Sequence, residues 1–144
     1  HLSLRRQRQM CIRDRPKVED IYVVALQEWN DDFMENTWYA YLVNDSTHTL
    51  DTAIVVSSAH GLINGEERKT SSLRHGFMEV LPNTAVKIEM IEESVLQLAN
   101  TFMLTYFIGT TLYDKTFTFE AGTVDKANAT QEIPVIFKDG IIAK

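Results

Sequence analysis

Alternation of apolar and polar side chains is the main signal along this chain, and it is clearest between Trp38 and Ser58. In residues 38–43 apolar side chains fall on both faces of an extended chain, which is typical of a central strand. Residues 44–47 are Asn, Asp, Ser and Thr, which favour a turn because their side chains bond the nearby backbone. Residues 50–57 alternate again, so this stretch predicts a β-hairpin.

Residues 84–91 show the most regular alternation and predict a half-buried strand. The residues that we expect to face the core are Val86, Ile88 and Met90. Their neighbours Lys87 and Glu89 are then expected to face solvent. Further strands are predicted where apolar and aromatic residues recur, at 21–26, 70–80, 102–108 and 111–119.

The end of the chain carries a weaker pattern. Residues 133–136 are apolar, but Pro134 has no N–H to give to a ladder, so this segment is expected to be an edge or terminal strand. Residues 139–142 are expected to form a short tail. Residues 92–99 are too short for an independent helix and predict one helical turn.

Seven to eight short strands at a spacing of about ten residues, with one or two short helical turns, predict an all-β fold. We expect an antiparallel two-sheet sandwich that is immunoglobulin-like or fibronectin-III-like. A closed barrel is the alternative, because a count of strands does not show whether the sheet edges meet.

Residues 1–15 differ from the rest in composition, with five arginines and the only cysteine, Cys11. The run from Arg5 to Asp14 resembles the translation of a sequencing adapter. We therefore expect residues 1–15 to be adapter-derived and disordered, and residues 16–144 to form a single domain. A basic arm that binds nucleic acid is the alternative.

Charge narrows the classes of partner. Residues 1–15 hold five of the 14 Lys and Arg residues and one of the 20 Asp and Glu residues, so residues 16–144 carry a formal net charge of −10. This charge disfavours binding to nucleic acid or to an anionic membrane. No apolar run reaches the ~20 residues of a membrane helix, and no secretory signal is present, so a cytoplasmic protein is expected.

The most distinctive charged feature is a basic cluster formed by Arg68, Lys69, Arg74 and His75. It concentrates three cations within seven residues of an otherwise acidic domain. Such a patch predicts a site for an acidic protein partner or an anionic ligand such as a phosphate. A solvated strand whose charges balance neighbouring glutamates is the alternative.

Patterns for catalysis and for metal binding are absent from the sequence. Ser57 and Ser58 lie near His60, but no Gly-x-Ser-x-Gly elbow surrounds them. The histidines lack the close spacing of metal ligands, and no cysteine follows residue 15. We therefore expect no catalytic residues, no metal, no cofactor and no enzyme activity.

Several stretches spread over residues 16–144 carry a resemblance to a known family. The stretches are residues 28–30, 38–44, 70–75, 87–89, 107–109 and 112–115. They resemble a family of small bacterial proteins that often carry the label phenylalanyl-tRNA synthetase subunit alpha. The resemblance implies a bacterial protein and, as an alternative function, an accessory role in tRNA aminoacylation. The Arg-x-Glu and Gly-rich Glu-Arg motifs of a class II synthetase core do not occur in the chain.

The function that these patterns favour is a non-catalytic β-sandwich module that binds a protein or an anionic ligand through the basic cluster. Nucleic acid and membranes are not expected partners. The oligomeric state is left open.

Overall fold

Ten β-strands and two short 3-10 turns make up residues 16–144, the part of the chain that the computed structural model describes. The interpretation of residues 1–15 as adapter-derived lies outside the described residues. The 3-10 turns are Glu93–Val95, within the predicted helical turn, and Lys126–Asn128. The strands are β1 (Ile21–Asn30), β2 (Glu35–Asn44), β3 (Leu50–Ile63), β4 (Glu66–Lys69), β5 (Leu73–Val80), β6 (Thr84–Ile91), β7 (Ala99–Ile108), β8 (Thr111–Phe119), β9 (Gln131–Glu132) and β10 (Asp139–Ile142).

The strands form two antiparallel sheets. The first sheet has the order β6-β2-β1-β10-β9, and the second has the order β4-β3-β7-β8 with β5 also paired to β3. The predicted all-β sandwich is confirmed, with ten described strands where seven to eight were expected. The additional strands are β4, β9 and β10, which are too short for alternation to be recognised in the sequence.

The order of the longer strands follows that of immunoglobulin-like sandwiches. The β1-β2 hairpin lies in one sheet, and β6 returns to lie beside β2. In the other sheet, β7 lies between β3 and β8. β5 pairs with β3 in the second sheet, and β6 belongs to the first sheet. The turn between β5 and β6 therefore carries the chain from the second sheet to the first.

The predicted hairpin over residues 38–58 is wrong, because β2 pairs with β1 and β6 in the first sheet whereas β3 belongs to the second sheet. Both strands form, but the segment between them carries the chain from one sheet to the other. Local turn chemistry explains the turns that were read from the sequence. Asn64 and Gly65 both adopt positive φ, 53° and 80°, as the type I′ turn between β3 and β4 requires. At the turn after β2, the Asn44 amide donates to the carbonyl oxygens of His48, Val80 and Leu81. Asn44 is fully buried and thus ties the β2-β3 turn to the end of β5.

The main hydrophobic core lies between the two sheets and contains apolar side chains from both. Phe102 and Phe119 pack edge to face, with ring centroids 5.9 Å apart. Tyr106 stacks on Tyr113 with centroids 5.0 Å apart. Such aromatic pairs add to the free energy that burial of their area already supplies.

A second apolar cluster covers the outer face of the first sheet. Its buried members are Val24, Leu26, Val43 and Ile133. The prediction of a strand over residues 133–136 is wrong, because this segment is the loop between β9 and β10. Ile133 N donates to the Lys138 oxygen and Phe137 N donates to the Ile133 oxygen, so the loop satisfies its own backbone. The predicted tail at 139–142 is instead β10, an interior strand between β1 and β9.

The two sheets meet along two seams that differ in construction. At the closed seam the chain continues beyond β10 and pairs with β8: Lys144 N donates to the Thr118 oxygen over 3.1 Å, and Thr118 N to the Lys144 oxygen over 2.9 Å. At the open seam the edge strands β5 and β6 share no ladder within the described residues. Side chains join the sheets there.

Candidate functional site

A β-bulge in β6 orients the central residue of the open seam. Ala40 lies opposite Glu89 and Tyr41 lies opposite Lys87, so Ile88 is the extra residue between them. Beyond the bulge Glu89 shares the inner face of the sheet with the buried Ala40. The expectation that Glu89 faces solvent and Met90 faces the core is wrong, because one extra residue reverses the alternation that follows it.

Glu89 accepts two hydrogen bonds between the sheets. The Ser57 hydroxyl on β3 donates to its Oε1. His75 Nε2 on β5 lies 3.0 Å from the same oxygen and donates to it, since a carboxylate oxygen only accepts. The side chains of His75 and Glu89 are 27% and 18% exposed. These three residues, the seam triad, join three strands across the open seam.

The order of groups in the seam triad differs from that of a catalytic triad. In nucleophilic catalysis an imidazole stands between the hydroxyl and the carboxylate and takes the hydroxyl proton. Here the carboxylate is in the middle, and Ser57 donates to Glu89. His60, which the sequence places near Ser57, lies exposed on the opposite parity of β3. The arrangement holds a carboxylate in place and does not activate a hydroxyl.

A cavity of about 270 Å³, the seam pocket, lies beside Glu89. Its polar lining consists mainly of hydroxyl groups and carboxylates, and its apolar lining comes from both sheets. Among the described lining residues none is Lys, Arg or His. The lining residues are Ser57, Ser58, Ala59, Thr70, Ser71, Leu73, Glu89, Met90, Ile91, Glu92, Val95, Asn100 and Phe102.

The structure separates the residues of the predicted basic cluster. Arg68 and Lys69 lie on β4, where Arg68 bonds Glu66 over 3.2 Å in an exposed ion pair. Arg74 lies on β5 opposite Val56, four positions along β3 from His60, the partner of Lys69. This offset corresponds to about 13 Å along the strand. The anion-binding role of these residues stays a prediction.

His75 is the one member of the basic cluster that joins the seam triad. It neighbours Arg74 in sequence, but successive residues of a strand point to opposite faces. His75 therefore reaches Glu89 between the sheets, whereas Arg74 is exposed.

A second surface feature lies at the hairpin between β1 and β2. The Asn30 side-chain oxygen accepts hydrogen bonds from Asp32 N, over 2.9 Å, and from Phe33 N, over 3.3 Å, which folds residues 31–34 into a tight turn. The turn holds large apolar side chains in solvent: Trp29 is 55% exposed, Phe33 56% and Met34 72%.

A groove of about 400 Å³ lies beside this turn. Phe33 and Trp38 contribute aromatic lining, and Met90, Ile91 and Leu96 add aliphatic lining. We call Trp29, Phe33, Met34 and this groove the tip surface.

Polar groups of the groove complete the tip surface. The carboxylates of Glu35, Glu92 and Glu93 line the groove. Thr37 also lines the groove, but its Oγ1 is buried and has no hydrogen-bond partner among the described residues. The groove surface therefore combines apolar area with negative charge.

A network on the outer face of the first sheet accounts for several other polar residues. Lys87 Nζ lies 4.0 Å from the centre of the Tyr39 ring and 3.7 Å from Glu28 Oε1. The Tyr41 hydroxyl donates to Glu28. Burial, followed by this hydrogen bond, raises the pKa of Tyr41 above that of a free phenol. Lys87, Glu28 and Tyr41 are therefore partners of one another in this network.

Comparison with protein-family models, with curated proteins and with solved structures finds no match for this chain. Within residues 16–144 no three His, Cys, Asp or Glu side chains lie close enough to hold a metal ion. None of the helices described there is long and apolar enough to cross a membrane.

Sequence reasoning missed Ser57 and Glu89 as partners. The available signal was the spacing of the apolar residues in β6. Met90 and Ile91 are adjacent apolar residues, which strict alternation does not produce. Of these two residues only Ile91 is buried. The buried apolar positions at this end of β6 are therefore 88 and 91, and the inward-facing Glu89 lies between them.

Proposed function

We propose that this protein is a non-catalytic β-sandwich binding module that docks a basic, apolar segment of a protein partner on its tip surface. The observation that carries the proposal is the exposure of Trp29, Phe33 and Met34 beside an apolar groove. Contiguous apolar side chains of this size in solvent are typical of interaction surfaces.

The tip surface has the features of an interface centre. Aromatic residues and methionine are enriched at such centres, and anchors bind best in a preformed depression. Trp29 Nε1 donates to Asp31 over 2.8 Å, so the indole ring is oriented before a partner arrives. Preorganisation of this kind lowers the entropy lost on binding.

The charge of the surface specifies the partner. Glu35, Glu92 and Glu93 surround the groove, and the domain as a whole carries −10. A segment with Lys or Arg on either side of an apolar anchor complements these charges.

Intrinsic fluorescence supplies a direct test. The chain has two tryptophans, Trp29 at the turn and Trp38 in the groove, so both report on this surface. We expect a synthetic peptide of alternating lysine and leucine to shift the emission and to bind about tenfold tighter than matched peptides with glutamate for lysine or serine for leucine. The affinity should fall as salt is added.

Variants locate the interaction. Phe33→Ser and Met34→Ser should each weaken the lysine–leucine peptide about five- to tenfold, the loss expected of an interface anchor. Met78→Ser is the matched control, because Met78 is 90% exposed but lies on β5, and it should change the affinity less than twofold. Equal binding of the glutamate peptide, or equal losses in all three variants, contradicts the proposal.

A further inference from the structure

We infer that the seam pocket binds a small organic ammonium ion through the carboxylate of Glu89. The seam pocket adjoins the groove of the tip surface and shares the lining residues Met90, Ile91 and Glu92 with it. Glu89 lines the seam pocket and not that groove, and Trp29, Phe33 and Met34 are not in the seam pocket. The inference rests on Glu89 and therefore does not depend on the proposed function.

The unused oxygen of Glu89 is the first observation. Ser57 and His75 both bond Oε1, and no described residue donates to Oε2. Oε2 is not among the buried unsatisfied atoms of the described residues, so it keeps some exposure to solvent, and Glu89 lines the seam pocket. A ligand with N–H donors completes the hydrogen bonding of this carboxylate.

Charge is the second observation. A carboxylate that is largely removed from water needs compensation. Ser57 is a neutral donor, and both it and His75 bond Oε1, so these bonds orient Glu89 and leave Oε2 without a donor among the described residues. The described lining adds a second carboxylate, Glu92, and no cationic side chain. The site thus selects a cation and rejects an anion.

The remaining lining restricts the ligand further. The lining also contains Ser71, whose hydroxyl group is an acceptor for a further N–H group of an ammonium ion. Leu73, Val95 and Phe102 form an apolar wall for a short hydrocarbon part. The volume of about 270 Å³ lies below that of sites for drug-sized molecules, so the ligand is small.

The position of Glu89 in the pocket is set by the backbone of β6 and by hydrogen bonds from two other strands. The bulge at Ile88 turns Glu89 inward, and the seam triad then fixes its rotamer from two other strands. Bulges of this kind often reorient a side chain at a functional site.

A matched series of probes tests the inference on the unmodified protein. The probes are n-butylammonium, n-butanol and butyrate, which differ in charge but share one alkyl chain. Binding is followed by amide chemical-shift changes in NMR titrations. We expect n-butylammonium to bind at least tenfold tighter than the other two, with the largest changes at Ser57, Ser71 and Glu89. Butyrate binding as tight as butylammonium, or no saturable binding of butylammonium, overturns the inference.

Variants assign the effect to Glu89. Glu89→Gln keeps an acceptor for Ser57 and His75 and should lower butylammonium affinity to within about twofold of butanol. Glu79→Gln, an equal charge change at an exposed position of β5, is the control and should leave the affinity unchanged. Unchanged affinity in Glu89→Gln overturns the inference. Ser71→Trp fills the pocket while leaving all three residues of the seam triad unchanged and should abolish binding, which keeps the test decisive if Glu89→Gln does not fold.

Discussion

The closed and open seams join the same two sheets by different means. At the closed seam two backbone hydrogen bonds between Thr118 and Lys144 hold the sheets together. At the open seam the seam triad spans the gap with side chains, and a cavity of about 270 Å³ lies beside it. Backbone pairing sets strands about 4.8 Å apart and leaves no room between them. Side-chain bridges keep edge strands further apart, so the open seam is where this sandwich has space for a ligand.

The largest difference in stability between the two seams is expected when one glycine near each seam is replaced by alanine, which adds a methyl group. A Cβ on Gly140, in the strand that leads into the closed seam, would lie 2.7 Å from Leu26 Cδ2 and 2.8 Å from the Ala25 oxygen. Because the backbone oxygen cannot move cheaply, Gly140→Ala should lower the free energy of unfolding by about 2–3 kcal/mol.

Gly76 on β5 is the matched control at the open seam. A Cβ there would meet nothing within 4 Å. Gly76→Ala should raise the free energy of unfolding by about 0.5 kcal/mol, because alanine loses less backbone entropy in a strand. Urea denaturation of both variants measures the contrast. Similar losses of unfolding free energy in the two variants would show that the backbone is packed equally closely at both seams.

A smaller loss is expected from removing one bond of the seam triad. Ser57→Ala should lower the free energy of unfolding by about 1.5 kcal/mol, since the lost hydrogen bond goes to a charged and largely buried acceptor. Ser58→Ala, the neighbouring control, should cost less than about 0.5 kcal/mol.

A double-mutant cycle tests whether Ser57 acts through Glu89. If it does, Ser57→Ala in a Glu89→Gln background should cost less than in the wild type, because the charged acceptor is already gone. Additive losses would mean that the seam triad does not join the sheets as a unit.

The smallest effect at neutral pH concerns Tyr106, a buried residue of β7 that lies away from both seams' hydrogen bonds. Burial raises the pKa of Tyr106, and the electrostatic effect of the nearby Tyr113 adds to the rise. The unfolded chain loses this proton near pH 10. The contribution of Tyr106 to stability is therefore fully present below about pH 10 and is lost as the pH rises toward the folded-state pKa.

Replacement of the hydroxyl group checks the sign. Between about pH 10 and 11, Tyr106→Phe should show a shallower decline of the unfolding free energy than the wild type. Tyr22→Phe serves as the control, since Tyr22 lies outside the main core. An identical decline in Tyr106→Phe and wild type would show that Tyr106 ionises as easily in the folded state as in the unfolded chain.

Much of the fold followed from local patterns. The alternation around Trp38 and Leu50 predicted the strands β2 and β3, although their predicted pairing in one hairpin was wrong. The asparagine–glycine pair at 64–65 predicted a turn that the structure contains. The site was less predictable. Glu89 was assigned to the solvent, and residues 133–136 to a strand. Both errors concern positions where pairing with distant strands overrides local alternation.

The basic cluster shows the same limit for function. Four residues adjacent in sequence suggested one patch, yet His75 bonds Glu89 between the sheets while Arg74 faces out. Residues that are adjacent in a strand do not share a face, because successive side chains point to opposite sides of the sheet.

The sequence by itself determined the all-β class, most of the long strands and the acidic charge of residues 16–144, because these depend on local alternation, turn chemistry and composition. Tertiary structure decided three other matters: the inward direction of Glu89, the pairing of Lys144 with Thr118, and the exposure of Phe33 beside a groove. Each depends on which strands become neighbours. That choice is made by burial of apolar area over the whole molecule, a property that no single stretch of the chain contains.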